Sequence, residues 1–566
     1  MTAGLDAWPQ AKESQDQCPD LVILEERLQA RLGKSHFRLP PHFDDDTNEI
    51  NELIPVVRFP SWHYCPDCSV MRHTNLYESR SRCTSIKCQK RPEKFRSWLM
   101  PVRIVTICPT GHIDDFPFHA WVHDNPIANV ADHELSWRAS GTSSSLSGIS
   151  ISCSCRTSRT LQGAFTFSSA TNSGALRELN IDCAGRRPWL GELGAGCGEA
   201  LRVVQRGATN VYFPVIKSSI YLPTSCGDHD DWLLKCVDEV VRKSAGKDDE
   251  YRRKCIGHVA FMDNVDEKLL AQAVEQRLAR ENARQGQTMT EEQFRYEEFQ
   301  VLRGADLNPG KDLNMKEFPI ADYGDLSKFF TRIRLISKLR ETRVLESFTR
   351  ITPLDNGQSS PQELCLDRNL GWLPAIIVRG EGIFFEFKED QFLPWETAVS
   401  QRVVDFRQGY ENSVRRQDAR ATRLTPRFVL LHTFAHLMIR ELTFECGYGS
   451  AALRERIYCD MDGPPMNGVL LYTASGDSEG TLGGLVRQGH PDRLIRCFQS
   501  AINKALWCSG DPVCIESAGQ GTNNANLAAC HGCALLPETC CEQGNVLLDR
   551  ALLIGRPRDR TIGFFV

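Results

Sequence analysis

FPSWHYCPDCSVMRHTNLYESRSRCTSIKCQK, residues 59–90, carries two close cysteine pairs, Cys65-x2-Cys68 and Cys83-x4-Cys88, separated by 14 residues. Tetrahedral zinc is held by four such thiolates on short turns whose backbone N–H groups point at the sulfurs. Pro66 suits such a turn, and the spacing predicts a zinc-ribbon-like module with Cys65, Cys68, Cys83 and Cys88 as ligands.

Further cysteines repeat the theme. ISISCSCRTSRT holds Cys153 and Cys155, NIDCAGRRPWLG holds Cys183 and GAGCGEA holds Cys197. Glycine or proline flanks the last two, as expected where a chain bends around a metal, so these four are read as one second zinc set. Near the C-terminus lie Cys508, Cys514, Cys530-x2-Cys533, Cys540 and Cys541. Four-coordinate zinc needs four of these six. Cys530 and Cys533 are the firm members, Cys514 joins them, and one of Cys540 or Cys541 completes the set. Adjacent cysteines point in different directions and do not serve one ion together. Cys18, Cys226, Cys236, Cys255, Cys365, Cys446, Cys459 and Cys497 are scattered and read as small buried hydrophobes.

The chain has 566 residues, 23 cysteines, 67 Lys+Arg and 72 Asp+Glu, a net charge of −5. Its length implies three or four domains, and its charge excludes a uniformly basic nucleic-acid binder while allowing a local basic groove. The first thirty residues show no basic start, apolar run or cleavage site of an export signal, so a cytoplasmic protein is expected. In a reducing compartment clustered cysteines are metal ligands more often than disulfides. No run reaches membrane-spanning length. The longest, RFVLLHTFAHLMI at 427–439, reads as a buried helix, with His432 and His436 on a core-facing side.

The architecture expected is α+β and multidomain: zinc-ribbon-like modules, a helical middle region and a C-terminal zinc-binding domain. Five consecutive segments follow. Residues 1–58 form a polar arm that includes the DDDTNE run at 44–49, and 59–225 hold the first two cysteine sets. Residues 226–350 are mainly helical, with KFFTRIRLISKLRETRVLESFTRI at 328–351 passing from helix to strand. In 351–424, AIIVRGEGIFFEF at 375–387 reads as a hairpin turning at Gly380 and Gly382. Residues 425–566 form an α+β unit with the last cysteines.

CPTGHIDDFPFHAWVHD, Cys108 to Asp124, gathers His112, Asp114, Asp115, His119 and His123. Carboxylates and imidazoles of this kind can hold a hydrolytic metal ion, the basis of an alternative reading as a nuclease or hydrolase. The plainer reading is a polar turn before a helix capped by Asp114 or Asp115 and packed through Phe116, Phe118 and Trp121. No phosphate-cradling loop is present, since LQARLGKS at 28–35 lacks the first glycine of that motif. The glycine-rich SGDSEGTLGG at 475–484 could meet an anion through its amides, but reads first as a turn before a helix. Candidate DNA-phosphate contacts are Arg156, Arg159, Arg186, Arg187, Arg415, Arg416 and Arg420, with Arg423 and Arg427 extending the last group. Trp189 would stack on a splayed base only if it were not packed in a core.

Several blocks together resemble the DrmB family, the helicase-associated subunits of the DISARM anti-phage system. They are VRFPSWHYCPDC at 57–68, ICPTGHIDDFPFHAW at 107–121, QRGATNVYFPVIKSSIYLP at 205–223 and KLRETRVLESFTRI at 338–351. HTFAHLMIRELTFECGYGSAALRERIY at 432–458, LLYTASGDSEGTLGGL at 470–485 and ACHGCALLPETCCEQGNVLLDRALL at 529–553 continue the likeness, and the C-terminal blocks also resemble a zinc domain of some DNA-repair helicases. The resemblance implies a non-catalytic subunit that forms a heterodimer with a DrmA-like helicase, which hydrolyses the ATP. It also implies backbone contact with DNA, single-stranded or with an overhang, no membrane, and two to three structural zinc ions. It carries the last zinc set onto Cys514, Cys530, Cys533 and Cys541, since CEQGN holds the family's last ligand. A scaffold that binds protein alone is the third reading.

Overall fold

The computed structural model describes the chain except for residues 10, 13–14, 16–18, 42–52, 126–132, 140–144, 169–170, 193, 195, 224–230, 284–288, 305–311, 355–358, 368, 414–420, 422, 461–464 and 474–482. Arg415, Arg416, Arg420, Cys18, Cys226, the 44–49 run and most of 475–484 therefore lie outside the described residues. Helix and strand are mixed, and the chain forms two compact units from non-consecutive segments. The first comprises Met1–Val22, Arg38–Ile216 and Leu345–Pro374, and the second Ile23–Phe37, Lys217–Val344 and Ala375–Val566.

The first unit is built from short strands broken by cysteine turns. Trp62–Tyr64 lies between Met71–His73 and Met100–Pro101; Ile104–Ile107 lies between Arg202–Gln205 and Ile113–Asp115; Ile149–Cys153 lies between Leu135–Ala139 and Ser158–Thr160. All these pairs are antiparallel. The β-branched run Ile104–Ile107 is buried throughout, and Phe116, Phe118, Trp121, Leu135, Ile151 and Leu161 share one apolar cluster. The first residues belong to this packing: Leu5 is buried, and Gly4 N donates to Trp189 O at 2.7 Å. Three-residue strands supply little continuous apolar area, and small layers of this kind depend on covalent or metal staples.

The second unit is organised on a larger sheet. Phe330–Thr349 pairs antiparallel with Trp372–Phe387, which pairs with Met466–Thr473, which pairs with Leu453–Asp460. Alternate side chains sort to two sides: Ile383, Phe385 and Phe387 join one apolar cluster, and Phe384 joins another with Phe299 and Leu302 of helix Glu291–Arg303. The helix Pro426–Cys446 covers the first side. Thr425 caps its start, its hydroxyl accepting from Phe428 N at 3.2 Å, and Gly447 at φ 69° ends it. Its Phe434 ring lies 5.2 Å from Phe387 and 5.3 Å from Phe385. Helices Asp231–Ser244, Asp249–Met262 and Glu267–Ala283 pack on one another through Leu233, Val237, Val240, Ile256, Leu270 and Val274. Among the described residues no helix is long and apolar enough to cross a membrane.

Two local expectations are corrected. Residues 330–349 are strand throughout, with no helical portion. Buried Arg340 and Arg334 obscure the period-two pattern, because Asp312 at 2.9 Å and Glu317 at 2.8 Å neutralise them. Register shifts between Phe330 and Arg332, and between Ile336 and Leu339, break it further. The expected hairpin at 375–387 is instead the single strand Trp372–Phe387. Gly380 and Gly382 serve close approach: a Cβ on Gly380 would sit 2.4 Å from Thr473 O, and one on Gly382 3.1 Å from Leu471 O.

Candidate metal centres

In the first centre, the Trp62–Tyr64 strand delivers Cys65 into a tight knuckle. Cys65 N donates to Val70 O at 2.9 Å, and Ser69 turns the chain at φ 64°. The short helix Ile86–Gln89, capped by Ser85, brings Cys88 opposite. Sγ atoms of Cys65 and Cys88 are 3.8 Å apart, and those of Cys68 and Cys83 3.6 Å. Zinc–sulfur bonds of about 2.3 Å at tetrahedral angles put sulfurs roughly 3.8 Å apart. The Ser85 hydroxyl lies 3.1 Å from Cys68 Sγ. Burial pushes the Cys65 thiol up to about 12. Burial also opposes ionisation of Cys68, but the Ser85 hydroxyl and neighbouring donors bring it down to about 7. Thiols moved in opposite directions share protons, and a divalent cation lets all of them ionise together.

The four residues read as one second set do not meet at one point. Cys183 and Cys197 gather with Cys108 and His112, while Cys153 and Cys155 gather with His123 and His133. In the former, the turn between Ile104–Ile107 and Ile113–Asp115 brings Cys108 Sγ within 3.5 Å of His112 Nδ1. Thr110 Oγ1 bridges Cys108 at 2.9 Å and Cys197 at 3.0 Å. Gly111 makes the turn at φ 84°. The hydrogen bond with Cys183 brings the Cys108 thiol down to about 5 and pushes Cys183 far up.

Arg350 lies beside this centre, buried over Trp189 and Phe348, its Nε donating to Gly111 O at 2.8 Å. Burial pushes its guanidinium down to about 10, with Cys108 acting the other way. Among the described residues it makes no ion pair with a carboxylate. Three thiolates around a divalent cation leave one net negative charge, which suits an otherwise unmatched buried arginine.

In the other group, His123 Nδ1 donates to His119 O at 2.7 Å, so its Nε2 is left to face Cys155 Sγ at 3.3 Å and His133 Nδ1 at 3.3 Å. Cys153 Sγ lies 3.3 Å from the same His133 nitrogen. A ring fixed through its other nitrogen is the usual habit of a metal-bound histidine. Hydrogen bonds from the Thr157 hydroxyl and amide bring the Cys155 thiol down to about 6.

Near the C-terminus, Cys514, Cys530 and Cys533 gather with Cys508, not with Cys541. Sγ separations are 3.5 Å for Cys508–Cys530, 3.8 Å for Cys514–Cys533 and 3.7 Å for Cys530–Cys533. Gly510 N and Cys530 N each donate to a cysteine sulfur at 3.3 Å. Asp511 holds the loop by accepting from Cys508 N at 2.8 Å and Ile515 N at 3.0 Å. Cys541 lies instead against His432, its Sγ 3.2 Å from Nε2, and Cys540 points away toward Ser450 O at 3.3 Å. His432 and His436 are therefore not simply an apolar helix face.

The residues weighed as a hydrolytic set are separated by their contacts. His112 faces Cys108, Asp114 pairs with Arg186 at 3.3 Å, and Asp115 accepts from Ser61 N at 2.8 Å. His119 packs on Trp62 with ring centroids 5.5 Å apart. Neither aspartate caps the helix Phe118–His123, whose N-cap is Pro117.

Among the arginines, Arg156 is exposed, while Arg159 lies over Trp121 and pairs with Asp124 at 2.8 Å. Arg187 pairs with Glu192 and with Glu363 at 3.0 Å, and Arg427 is buried between Glu389 and Glu396. Trp189 is buried, its Nε1 donating to Glu363 O at 3.0 Å. At the described end of the glycine-rich loop, the amides of Leu485 and Val486 are taken by the buried Glu381 carboxylate at 2.8 and 3.2 Å.

Spacing does not bring in Cys108 or His133, leaves Cys508 outside the four chosen from the last six cysteines, and places His112 and His123 only in the alternative hydrolytic set. Histidine adjacent to a thiolate-rich turn, as in CPTGH, was the available signal for His112.

A family model described as the MrfA Zn-binding domain matches residues 434–534, a span that contains Cys508, Cys514, Cys530 and Cys533. A domain of unknown function, DUF8724, matches residues 1–213. The DISARM protein DrmB of Bacillus paralicheniformis (strain ATCC 9945a / NCIMB 11709 / CD-2) is 30% identical over 558 residues, covering 94% of this chain and 93% of that one. With a relative matched along nearly its whole length and a zinc-binding domain at its C-terminal side, this chain belongs to the DrmB family of DISARM proteins.

Proposed function

We propose that this chain is a non-catalytic, zinc-stabilised subunit of a cytoplasmic anti-phage defence complex. It binds a DrmA-like helicase or translocase as a heterodimer and helps that partner hold DNA through backbone contacts. The observation that carries this reading is the full-length kinship with a DISARM protein, joined to the form of the centres. Each of the four groups described above offers four Cys or His ligands. Closed sets of four protein ligands stabilise folds, whereas catalytic zinc keeps a position for water. ATP hydrolysis is assigned to the partner.

Phosphate contact is assigned first to Arg156, which is exposed, and then to Arg186, whose side chain is 46% exposed despite its pair with Asp114. Arg159 and Arg187 are secondary because both already have anionic partners. Arg415, Arg416 and Arg420 stay in the proposal on sequence alone.

The test is co-expression with the partner helicase. The two should co-purify in one-to-one ratio, and the pair should bind DNA more tightly than the helicase alone. Arg156→Glu with Arg186→Glu should reduce that gain and flatten its salt dependence. ATP hydrolysis by this chain alone, or failure to co-purify, would overturn the reading.

A further inference from the structure

The helix Pro426–Cys446 places His432 and His436 one turn apart on one face, and strand Leu453–Asp460 sets Glu455 before them. The loop after Cys540 adds Cys541. His432 Nε2 lies 3.1 Å from Glu455 Oε1 and 3.2 Å from Cys541 Sγ, and His436 Nε2 lies 3.5 Å from Glu455 Oε2. One ligand atom from each of the four residues falls within 4.8 Å of every other. Both histidine side chains and that of Glu455 are fully shielded from solvent.

Hydrogen bonds to His436, Cys541 and Glu455 orient their lone pairs inward. His436 Nδ1 donates to Ala534 O at 2.8 Å, which leaves Nε2 as a lone-pair donor facing a carboxylate. His436 Nε2 and Glu455 Oε2 are both buried without a hydrogen-bond partner. Gln543 N and Asn545 N donate to Cys541 Sγ at 3.3 and 3.2 Å, the knuckle arrangement of a metal-bound thiolate. Glu542 N holds Glu455 Oε1 at 3.2 Å. Two electron-rich atoms facing each other in a dry interior repel unless a cation lies between them. Bonds of about 2.0–2.3 Å to nitrogen, oxygen and sulfur imply tetrahedral edges of roughly 3.4–3.6 Å, close to those observed.

We propose that His432, His436, Glu455 and Cys541 form an additional, closed zinc site that ties the central helix to the sheet and to the C-terminal loop. Its four protein ligands leave no position for water, so its role is structural. It is separate from the Cys508, Cys514, Cys530 and Cys533 centre, and the matched zinc-binding domain at 434–534 contains neither His432 nor Cys541.

The test counts zinc by native mass spectrometry and elemental analysis in the full chain purified without chelator. Cys540→Ser, altering the neighbouring thiol that points away, should keep the wild-type count, and Cys541→Ser should lose one ion. Equal counts in the two variants overturn the proposal. If Cys541→Ser does not fold, the wild-type chain loaded with cadmium-113 decides. A site with one sulfur, two nitrogens and one oxygen should resonate well upfield of the thiolate-rich sites, and absence of that signal overturns the proposal.

Discussion

Replacing Cys183 and Cys153 by serine, singly and together, tests whether one centre or two stand where the spacing suggested one. The structure divides their ligands into Cys108, His112, Cys183, Cys197 and His123, His133, Cys153, Cys155. Each single variant should lose one zinc ion after dialysis against a mild chelator, and the double variant two. A single shared ion would give one lost ion in all three. The donor sets add a second magnitude: three thiolates in the first group and two in the second. In cobalt-substituted protein, thiolate charge-transfer absorption should therefore fall in a ratio of about three to two between Cys183→Ser and Cys153→Ser. Stability should follow, because structural zinc contributes on the order of 10–16 kcal/mol of apparent binding energy in small domains, much of it coupled to folding. Cys183→Ser should show the greater loss of melting temperature, since it also leaves buried Arg350 without the centre's negative charge. A double variant that loses only one ion refutes the division, and equal absorption losses refute the donor assignment.

Cys508→Ser should lose one zinc ion, and Cys508→Ser with Cys541→Ser should lose two. Loss of only one by the double variant would mean that both cysteines serve the same ion. Gly380→Ala should cost roughly 1–3 kcal/mol in urea unfolding, because the added methyl meets Thr473 O and the strands must part. A neutral result would remove the close-approach account of that glycine. A third effect concerns acid. Burial opposes the charge on Glu291, but Arg295 and Arg31 hold its carboxyl down to about 2, from a usual 4.5. A lowered carboxyl stabilises the fold above its unfolded value and loses that contribution as pH falls from about 4.5 toward 2. The gap is worth at most about 3 kcal/mol, less for a side chain 30% exposed. Glu291→Gln should thus be less stable than wild type at pH 7, with the difference falling to about half at pH 3 and nearly vanishing near pH 2; a difference undiminished at pH 3 would show that the ion pairs are not its source.

What the sequence made legible was local. Cys65, Cys68, Cys83 and Cys88 could be grouped from spacing because all four lie within a single stretch of 24 residues. His133 could not, since its partners come from a helix end and a strand end elsewhere in the chain. Spacing leaves Cys540 and Cys541 open and the resemblance joins Cys541 to Cys514, Cys530 and Cys533, whereas its sulfur lies beside His432 and accepts from Gln543 N and Asn545 N. The apolar run at 427–439 announced a buried helix, but its histidines gained a chemical meaning only when strand Leu453–Asp460 brought Glu455 opposite them. Strand 330–349 was hidden by charged residues whose partners, Asp312 and Glu317, precede it in another strand region. Ion pairs formed at a distance leave no periodic trace in the segment they neutralise.

The interleaving of the two units bears on the order in which the chain can assemble. Within the first unit, Arg350 reaches Gly111 across 239 positions, and Trp372 reaches Ala11 across 361. The knuckle at Cys65 to Cys88 is complete once that short stretch has left the ribosome. The unit around it cannot close until residues 345–374 emerge, after much of the second unit has been made. Metal capture at the local knuckle can therefore precede folding of its surroundings, whereas the Cys108 centre matures beside an arginine that arrives late. A chain truncated before residue 345 should retain a loaded first knuckle inside an otherwise unfinished unit.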